Sequence, residues 1–309
     1  MKVSEKLKII QNTTNLTQEE LAKKLEVSFA TLNSWINNRS NPRKNSEKKI
    51  NNLYLKFTGQ KEIIENSLKA KKKIIIDKSK KYKNILKEII NNPDIYDHLA
   101  LSFTYNTNRI EGSTLTEDET RAILFDNIAL PNKSITEQLE VKNHQAAWRY
   151  LLNHLIKSSK INEKLILKLH SILMNGIRDD AGTYRKHAVR IVGSSVPTAN
   201  HLKVPKLMSE LIKNINYNKK DIIKHATIVH SKFEKIHPFS DGNGRIGRLI
   251  MQAMLLIKNL PPSILRQEKK RIYISYLRKS QLKEDFIPLE DFICDSILEG
   301  LKIIERKWN

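Results

Sequence analysis

"HPFSDGNGRIGR", residues 237–248, places three glycines, two arginines, one aspartate and one histidine directly before the apolar helical pattern "LIMQAMLLI". Few of these residues can build a hydrophobic core. Glycines let the backbone turn tightly and expose its N–H groups, and the N-terminus of a helix adds a dipole that favours negative charge. The stretch therefore predicts an anion-binding turn that leads into a buried helix.

The charged side chains of this stretch narrow the anion to a polyphosphate. Arg245 and Arg248 are three residues apart, so both guanidinium groups are expected on one helix face. Two arginines above a set of amides suit a polyphosphate better than a single phosphate. Asp241 suits Mg²⁺, which prefers one or two carboxylates together with substrate phosphates. His237 is the nearby side chain that can take a proton near neutral pH.

The stretch resembles the signature of the Fic-domain (Fido) family, H-x-F-x-D/E-G-N-G-R-x-x-R, and matches it at every specified position. The resemblance extends to "GTYRKHAVRIVGSS", residues 182–195, which is similar to the family's flap, and to "SFTYNTNRIEGSTLT" and "RIYISYLRKSQ" on either side. It implies a mainly helical Fic-type domain with a small β-hairpin flap. Known members transfer the AMP of ATP onto a hydroxyl side chain (Tyr, Thr or Ser) of a target protein.

The resemblance also implies roles for single residues. His237 would be the base that deprotonates the target hydroxyl, Asp241 would hold Mg²⁺, and the flap would align the target protein by strand pairing. Gly244 favours AMP transfer, because kinase-like members of the Doc type carry lysine there. The residues that the resemblance assigns to ATP are Asp241, Gly242, Asn243, Gly244, Arg245, Ile246, Gly247, Arg248, Val192, Gly193, Ser194, Ser195, Tyr273 and Gln281.

A second motif, "TNRIEG" at residues 107–112, matches the family's inhibitory pattern S/T-x-x-x-E-G/N. The resemblance makes Glu111 the partner of Arg248, so that Glu111 would take a cation from the γ-phosphate and restrain transfer. In some relatives the same glutamate serves to remove AMP from a modified target, and that alternative stays open. The third reading of Glu111 is an ordinary surface or capping residue.

The first part of the chain predicts two short helices joined by a tight turn. In "LTQEELAKKL" Thr17 and Glu20 form a capping box, and Ser28 caps the following "FATLNSWINN". The pattern resembles the Cro/repressor-like (XRE) helix-turn-helix family. It departs from that family at Glu26, where glycine is usual, so we expect a left-handed or altered turn at this position.

The helix-turn-helix resemblance predicts binding of double-stranded DNA through residues 1–57, with the second helix towards the bases and basic residues after it towards phosphates. The alternative is a small helical unit used only for dimerisation. The predicted DNA contacts are Thr31, Asn33, Ser34, Asn37, Arg39, Arg43 and Lys44.

The charge of the chain is uneven. The net charge of the 309 residues is +22, of which residues 1–60 carry +6 and residues 61–90 another +6. Lysine enrichment on solvated faces accounts for much of this excess. Residues 58–90 have apolar positions at helical spacing and predict a basic helical connector between residues 1–57 and a Fic-type domain at 91–309.

Composition excludes several classes of protein. Cys294 is the single cysteine, so no internal disulfide can form, and no run of 18 apolar residues suggests a membrane span. We expect a cytoplasmic protein without a membrane partner, and a homodimer is one of the assemblies left open. The chain lacks the P-loop pattern G-x-x-x-x-G-K-[ST], which argues against the common kinase fold that is built on it.

Two function classes remain. The first is an ATP- and Mg²⁺-dependent protein adenylyltransferase restrained by Glu111, with a DNA-binding domain attached. The second is a DNA-binding transcriptional regulator whose Fic-like domain senses nucleotide. His237 favours the first class, because a nucleotide sensor has no need of a base. His225 and His230 are five residues apart, a poor spacing for a shared metal on one helix face.

Overall fold

The computed structural model describes residues 2–14, 16–58, 65–191, 196–217 and 219–306, and the predicted flap residues Val192, Gly193, Ser194 and Ser195 lie outside them. The described residues are mainly helical, as expected, and contain no β-strand. The predicted β-hairpin flap is therefore not shown. The hydroxyl of Thr198 donates to the carbonyl of Val189 at 2.7 Å, which holds the two described ends of this segment together.

The first four helices share a hydrophobic core of their own. The apolar side chains at the centre of this core include Leu7, Ile10, Leu21, Leu32, Trp35 and Ile50. Helix α1 packs on α4, and α2 packs on α3. These helices are α1 (Val3–Thr14), α2 (Gln18–Leu25), α3 (Phe29–Ile36) and α4 (Lys44–Thr58).

The caps and the turn of this unit follow the sequence closely. Thr17 and Glu20 form the predicted capping box, and the hydroxyl of Ser28 accepts from the backbone N–H of Thr31 at 3.1 Å. Glu26 has φ 58° and ψ 46°, so of the two expected alternatives the turn adopts the left-handed conformation. The carboxylate of Glu26 forms an ion pair with Lys49. Two helices and their tight turn are thus confirmed.

The rest of the chain folds around a second, larger core. This core includes buried apolar residues from Leu68 to Ile304. The helices that build it are α5 (Glu65–Ser79), α6 (Ile85–Asn91), α7 (Pro93–Glu111), α8 (Glu117–Arg121), α9 (Ile135–Lys157), α10 (Glu163–Leu173), α11 (Val204–Ile215), α12 (Ile222–Ile236), α13 (Asn243–Ile257), α14 (Lys270–Lys283) and α15 (Ile287–Glu305).

Helix α13 lies at the centre of the larger core. Every residue of this helix from Arg245 to Leu256 is buried, and a helix that is buried on all sides is stable only when other elements surround it. Helices α12, α9, α10 and α7 pack against it. Because α13 is enclosed, the turn at its N-terminus has a fixed position relative to α7 and α9.

Helix α5, which belongs to the predicted connector, packs on α15. Leu68 and Ile75 enter the larger core, and Lys71 pairs with Asp291 at 2.7 Å and Asp295 at 2.6 Å. Opposite charges on α15 thus match part of the basic charge of this segment. None of the described helices is long and apolar enough to cross a membrane.

Candidate active site

The turn between α12 and α13 is closed by its own side chains. His237 ends α12 in the left-handed region at φ 52°, and Gly242 at φ 74° leads into α13. The amide side chain of Asn243 accepts from the backbone N–H of Phe239 at 2.8 Å and donates to the carbonyl of Phe239 at 2.9 Å. The turn therefore has a defined shape without any ligand.

The N-terminus of α13 has the features of an anion site. Gly242, the residue before the helix, supplies no side-chain cap, so the first helical N–H groups are not satisfied by a capping side chain. Their dipole favours an anion at this end. The carboxylate of Asp241 accepts from the backbone N–H of Gly242 at 2.6 Å and lies at the rim of the turn.

His237 carries an imidazole that can accept a proton. Its Nδ1 lies 3.2 Å from the carbonyl oxygen of Glu234, a contact in which Nδ1–H donates and Nε2 keeps its lone pair. Burial lowers the pKa of His237 below its ordinary value, and the nearby Arg185 guanidinium lowers it further. The imidazole is therefore neutral at physiological pH, the form that accepts a proton.

Arg248 is held by residues of α7. Its guanidinium is buried, pairs through Nη2 with Oε1 of Glu111, and donates through Nε to the hydroxyl of Thr107 at 2.6 Å. Burial by itself raises the pKa of Glu111, but the charges of Arg248 and Arg245 outweigh it and keep that pKa below its ordinary value. Glu111 is therefore an ionised partner of Arg248.

Glu111 also touches the glycine turn. A Cβ added at Gly244 would collide with Oε1 of Glu111 and would lie 3.0 Å from Nη1 of Arg248. A side chain at position 244 and Glu111 in its present place therefore exclude each other. Glycine at this position has a steric reason in the structure.

Arg245 points into the protein. Its guanidinium donates through Nη1 to Oε1 of Glu140 on α9 at 2.5 Å, and Nη2 lies 3.6 Å from Oδ1 of Asp241. The side chain is 2% exposed. The two arginines that the helical spacing places on one face thus have different partners, Glu140 for Arg245 and Glu111 for Arg248.

Comparison with known proteins agrees with this geometry. Residues 160–255 match the model of the Fic/DOC family, and residues 13–52 match a helix-turn-helix model. Residues 160–255 are therefore similar to the Fic/DOC family. The protein adenylyltransferases Fic of Aedes aegypti and Drosophila ananassae are 32% and 31% identical over 196 and 195 residues. Each alignment covers 62% of this chain and 39% of the relative, so the chain spans about two fifths of their length.

Solved structures share the fold. A Fic-1 chain from C. elegans superimposes with a TM-score of 0.67 at 22% identity, covering 93% of this chain and 84% of that chain. A Fic family protein from Desulfovibrio desulfuricans G20 gives a TM-score of 0.63 at 25% identity, covering 80% and 78%. The helical arrangement around α13 is thus the fold of Fic proteins.

The other residues predicted to bind ATP lie in different surroundings. Ile246 is fully buried in the core. A Cβ added at Gly247 would lie 2.6 Å from Oε1 of Glu234, so Gly247 allows α12 and α13 to approach closely. Tyr273 and Gln281 are buried on α14, where the Tyr273 hydroxyl lies 2.7 Å from Nε2 of His230. Their contact with ATP stays a prediction.

Asp241 fits a divalent cation bound together with a substrate. Its carboxylate is 53% exposed, and the described residues hold no group of three His, Cys, Asp or Glu side chains that could bind a metal by themselves. A Mg²⁺ ion held by one carboxylate and completed by substrate phosphates matches that arrangement. None of the described histidines belongs to such a group, and Cys294 is buried.

Several contacts of the candidate site were not predicted from the sequence. Glu140 pairs with Arg245, Thr107 binds Arg248, and Arg185 bonds to the carbonyl of His237. Glu234 is buried, and its Oε1 has no hydrogen-bond partner among the described residues. Two of these residues gave a local signal: Thr107 is the first residue of the motif "TNRIEG", and Glu234 lies three residues before His237.

The predicted DNA contacts form an open surface in the first unit. Arg39, Arg43 and Lys44 are exposed, and Asn33 is tied to α2 by a 3.1 Å bond from its amide to Oε1 of Gln18. The second helix of the helix-turn-helix, α3, packs into the protein through its buried side chains. The residues of α3 and its end that are not buried include Thr31, Asn33, Ser34 and Asn37.

Proposed function

We propose that this chain is a protein adenylyltransferase, which transfers AMP from ATP to a hydroxyl side chain of a target protein. The observation that carries the proposal is the turn of residues 237–248, in which a neutral histidine, an uncapped helix N-terminus and two arginines meet. Relatives named protein adenylyltransferase Fic support the same reaction.

The proposed chemistry balances with the residues present. The target oxygen attacks the α-phosphorus, its proton passes to Nε2 of His237, and the bond from the α-phosphorus to the bridging oxygen breaks to release diphosphate. The N–H groups at the start of α13 and the Arg248 guanidinium would hold the phosphates. Asp241 would hold Mg²⁺, which neutralises phosphate charge when bound.

We also propose that Glu111 restrains this reaction. Its carboxylate pairs with Arg248 and lies against Gly244, where the phosphate chain of ATP would need room and positive charge. A carboxylate there repels a phosphate and withdraws the cation that would bind it. A displacement of the reacting atoms by about 1 Å can lower a rate roughly a hundredfold.

Transfer of label distinguishes AMP transfer from phosphorylation. The full-length chain, as wild type and as Glu111→Gly, is incubated with ATP labelled at the α-phosphate or at the γ-phosphate, and protein-bound label is counted on filters. We expect α-label to be retained and γ-label to be lost. Retention of γ-label only would replace AMP transfer by a kinase reaction.

The same glutamate could position water for removal of AMP from a modified target. With pre-modified target and no ATP, release of AMP by the wild type and none by Glu111→Gly would establish a reversal activity. No release by either protein would limit Glu111 to inhibition.

DNA binding by residues 1–57 is proposed on the basis of the helix-turn-helix and its exposed basic residues. It also supports the second candidate, a transcriptional regulator that senses nucleotide through its Fic/DOC domain. The two candidates differ in one measurement, because a sensor binds ATP and operator DNA without labelling any protein in the filter experiment.

A further inference from the structure

Arg185 is a buried cation in the segment that follows α10. It is 3% exposed, and among the described residues no carboxylate lies within ion-pair distance of its guanidinium. Burying a charge is unfavourable unless hydrogen bonds satisfy it. The groups that accept hydrogen bonds from Arg185 therefore indicate its structural role.

Three consecutive carbonyl groups of the catalytic turn bind Arg185. Its Nε donates to the carbonyl of His237 at 2.7 Å, Nη2 donates to that of Ile236 at 3.3 Å, and the backbone N–H donates to that of Pro238 at 3.0 Å. The left-handed conformation of His237 is unfavourable for a residue with a Cβ. The bonds from Arg185 stabilise the turn at the position that carries the base.

The same guanidinium binds both sides of the segment 188–198. Its Nη1 donates to the carbonyl of His187 at 2.7 Å, and Nη2 donates to that of Ala199 at 2.5 Å. A planar group with five N–H donors can reach four carbonyls on separate stretches of chain, whereas a lysine ammonium is a single point with three donors. This arrangement requires arginine.

We propose that Arg185 is a positioning residue, a role that rests on the proposed AMP transfer: its guanidinium locks the backbone of His237 to both ends of the segment 188–198. The base and the two residues that flank this segment, His187 and Ala199, are then held in one geometry. Arg185 itself touches neither the reacting hydroxyl nor the phosphates in this assignment.

The charge of Arg185 gives the proposal a second readout. Burial lowers the pKa of His237, the carbonyl of Glu234 raises it, Arg185 lowers it, and Glu111 and Asp241 raise it. Removing Arg185 takes away a cation that disfavours the imidazolium. The pKa of His237 then rises, and the acid limb of the rate profile moves to higher pH.

The test compares three full-length variants in the Glu111→Gly background: Arg185→Lys, Arg185→Gln and, as matched control, Arg149→Gln. Arg149 is an exposed residue of α9 that donates to the Tyr96 hydroxyl. We expect kcat to fall roughly a hundredfold in both Arg185 variants, with ATP affinity within about twofold of the parent. The control keeps the parental kcat.

The titration of His237 by NMR, assigned with His237→Ala, tests the proposal without any reaction. We expect the pKa of His237 to rise in Arg185→Gln and to stay near the parental value in Arg185→Lys, which keeps the charge. If the parent transfers no AMP, the proposed function fails, while this titration still decides whether Arg185 governs the base.

Chemical rescue separates positioning from general stability. Guanidinium chloride at tens of millimolar, far below denaturing concentration, should restore the activity of Arg185→Ala at least tenfold and return the His237 titration towards the parent. Urea, which is neutral and of similar shape, should not. Should Arg185→Ala fail to fold, the kcat of the folded Arg185→Lys variant decides. Parental kcat in both folded variants, Arg185→Lys and Arg185→Gln, together with an unshifted His237 pKa in Arg185→Gln, would overturn the proposal.

Discussion

Glu26 after α2 and His237 after α12 are two of the described non-glycine residues that adopt the left-handed conformation directly after a helix. The side chain of Glu26 is exposed, and its carboxylate pairs with Lys49. The turn of His237 is more enclosed: His237 is partly buried, with Arg185 bonded to its carbonyl and the carbonyl of Glu234 to its ring.

The two turns differ in how many neighbouring residues a substitution affects. In the exposed turn, water replaces any lost contact, so a substitution has a local and small effect. In the enclosed turn, a lost partner leaves a buried polar group unsatisfied, and its neighbours lose their positions. The following substitutions test this contrast, from the largest expected effect to the smallest.

His237→Ala should lower AMP transfer about 10²- to 10⁴-fold, the usual contribution of a general base. ATP affinity should change less than about twofold, because His237 holds no phosphate in the proposed site. Initial rates with α-labelled ATP and calorimetric titration with ATP measure the two effects. His154→Ala, a partly exposed residue of α9, is the control. Parental transfer by His237→Ala would remove this residue from the mechanism.

Glu111→Gly should raise AMP transfer about 10- to 10³-fold. Arg248 would be released from its ion pair, and a competing carboxylate would leave the phosphate site. ATP affinity should not fall, since removal of a negative charge relieves repulsion with a polyanion. The control is Glu117→Gly in the exposed first turn of α8. Equal rates for all three proteins would make Glu111 a structural residue only.

Glu234→Gln should stabilise the fold at alkaline pH. Burial raises the pKa of Glu234 to about 8, so the folded state holds a proton that the unfolded state releases above its ordinary pKa. The stability contributed by that proton is present at low pH and is lost as pH rises through the folded pKa.

The free energy of unfolding is measured with urea at pH 5.5 and at pH 8. The gain in this free energy of Glu234→Gln over wild type should be larger at pH 8 than at pH 5.5 by about 2 kcal/mol. The exposed variant Glu117→Gln should show no such dependence. A constant difference between the two pH values would mean that Glu234 is ionised in the folded protein.

Arg43→Gln should weaken duplex binding only severalfold, and the slope of log K against log salt should become shallower by about 0.9. Arg43 is exposed and follows α3, the second helix of the helix-turn-helix, and we propose that it contacts one phosphate. Fluorescence anisotropy over a salt series measures both values. Lys8→Gln, on the exposed side of α1, should leave the slope unchanged. An equal loss of slope in both variants would indicate binding through overall charge.

Glu26→Gly should raise the Tm of the first unit slightly, on the order of 2–5 °C, because glycine adopts the left-handed conformation without strain. Glu26→Ala removes the same ion pair with Lys49 but keeps a Cβ, and should give no gain. Scanning calorimetry of the full chain measures both. A higher Tm for the alanine variant than for the glycine variant would show that backbone strain at this turn is negligible.

Much of the fold and of the candidate site was predictable because it depends on short, contiguous stretches of sequence. The capping box of Thr17 and Glu20, the left-handed turn at Glu26 and the glycine turn before α13 depend on residues within a few positions of each other. Backbone conformation and helix caps are local, so a contiguous pattern is enough to predict them. The pair of Glu111 with Arg248 was predicted across 137 residues only because two motifs of one family occur together.

The sequence by itself determined the helical class, the two units with their motifs, and the candidate base and phosphate groups. The tertiary structure alone decided that Glu140 pairs with Arg245, which is 105 residues away in sequence. It also decided that Arg185 binds the carbonyl of His237, which is 52 residues away. Burial removes water from these groups, so each must find a partner within the protein. Which partner it finds depends on how helices distant in sequence pack around α13, and no local pattern carries that information.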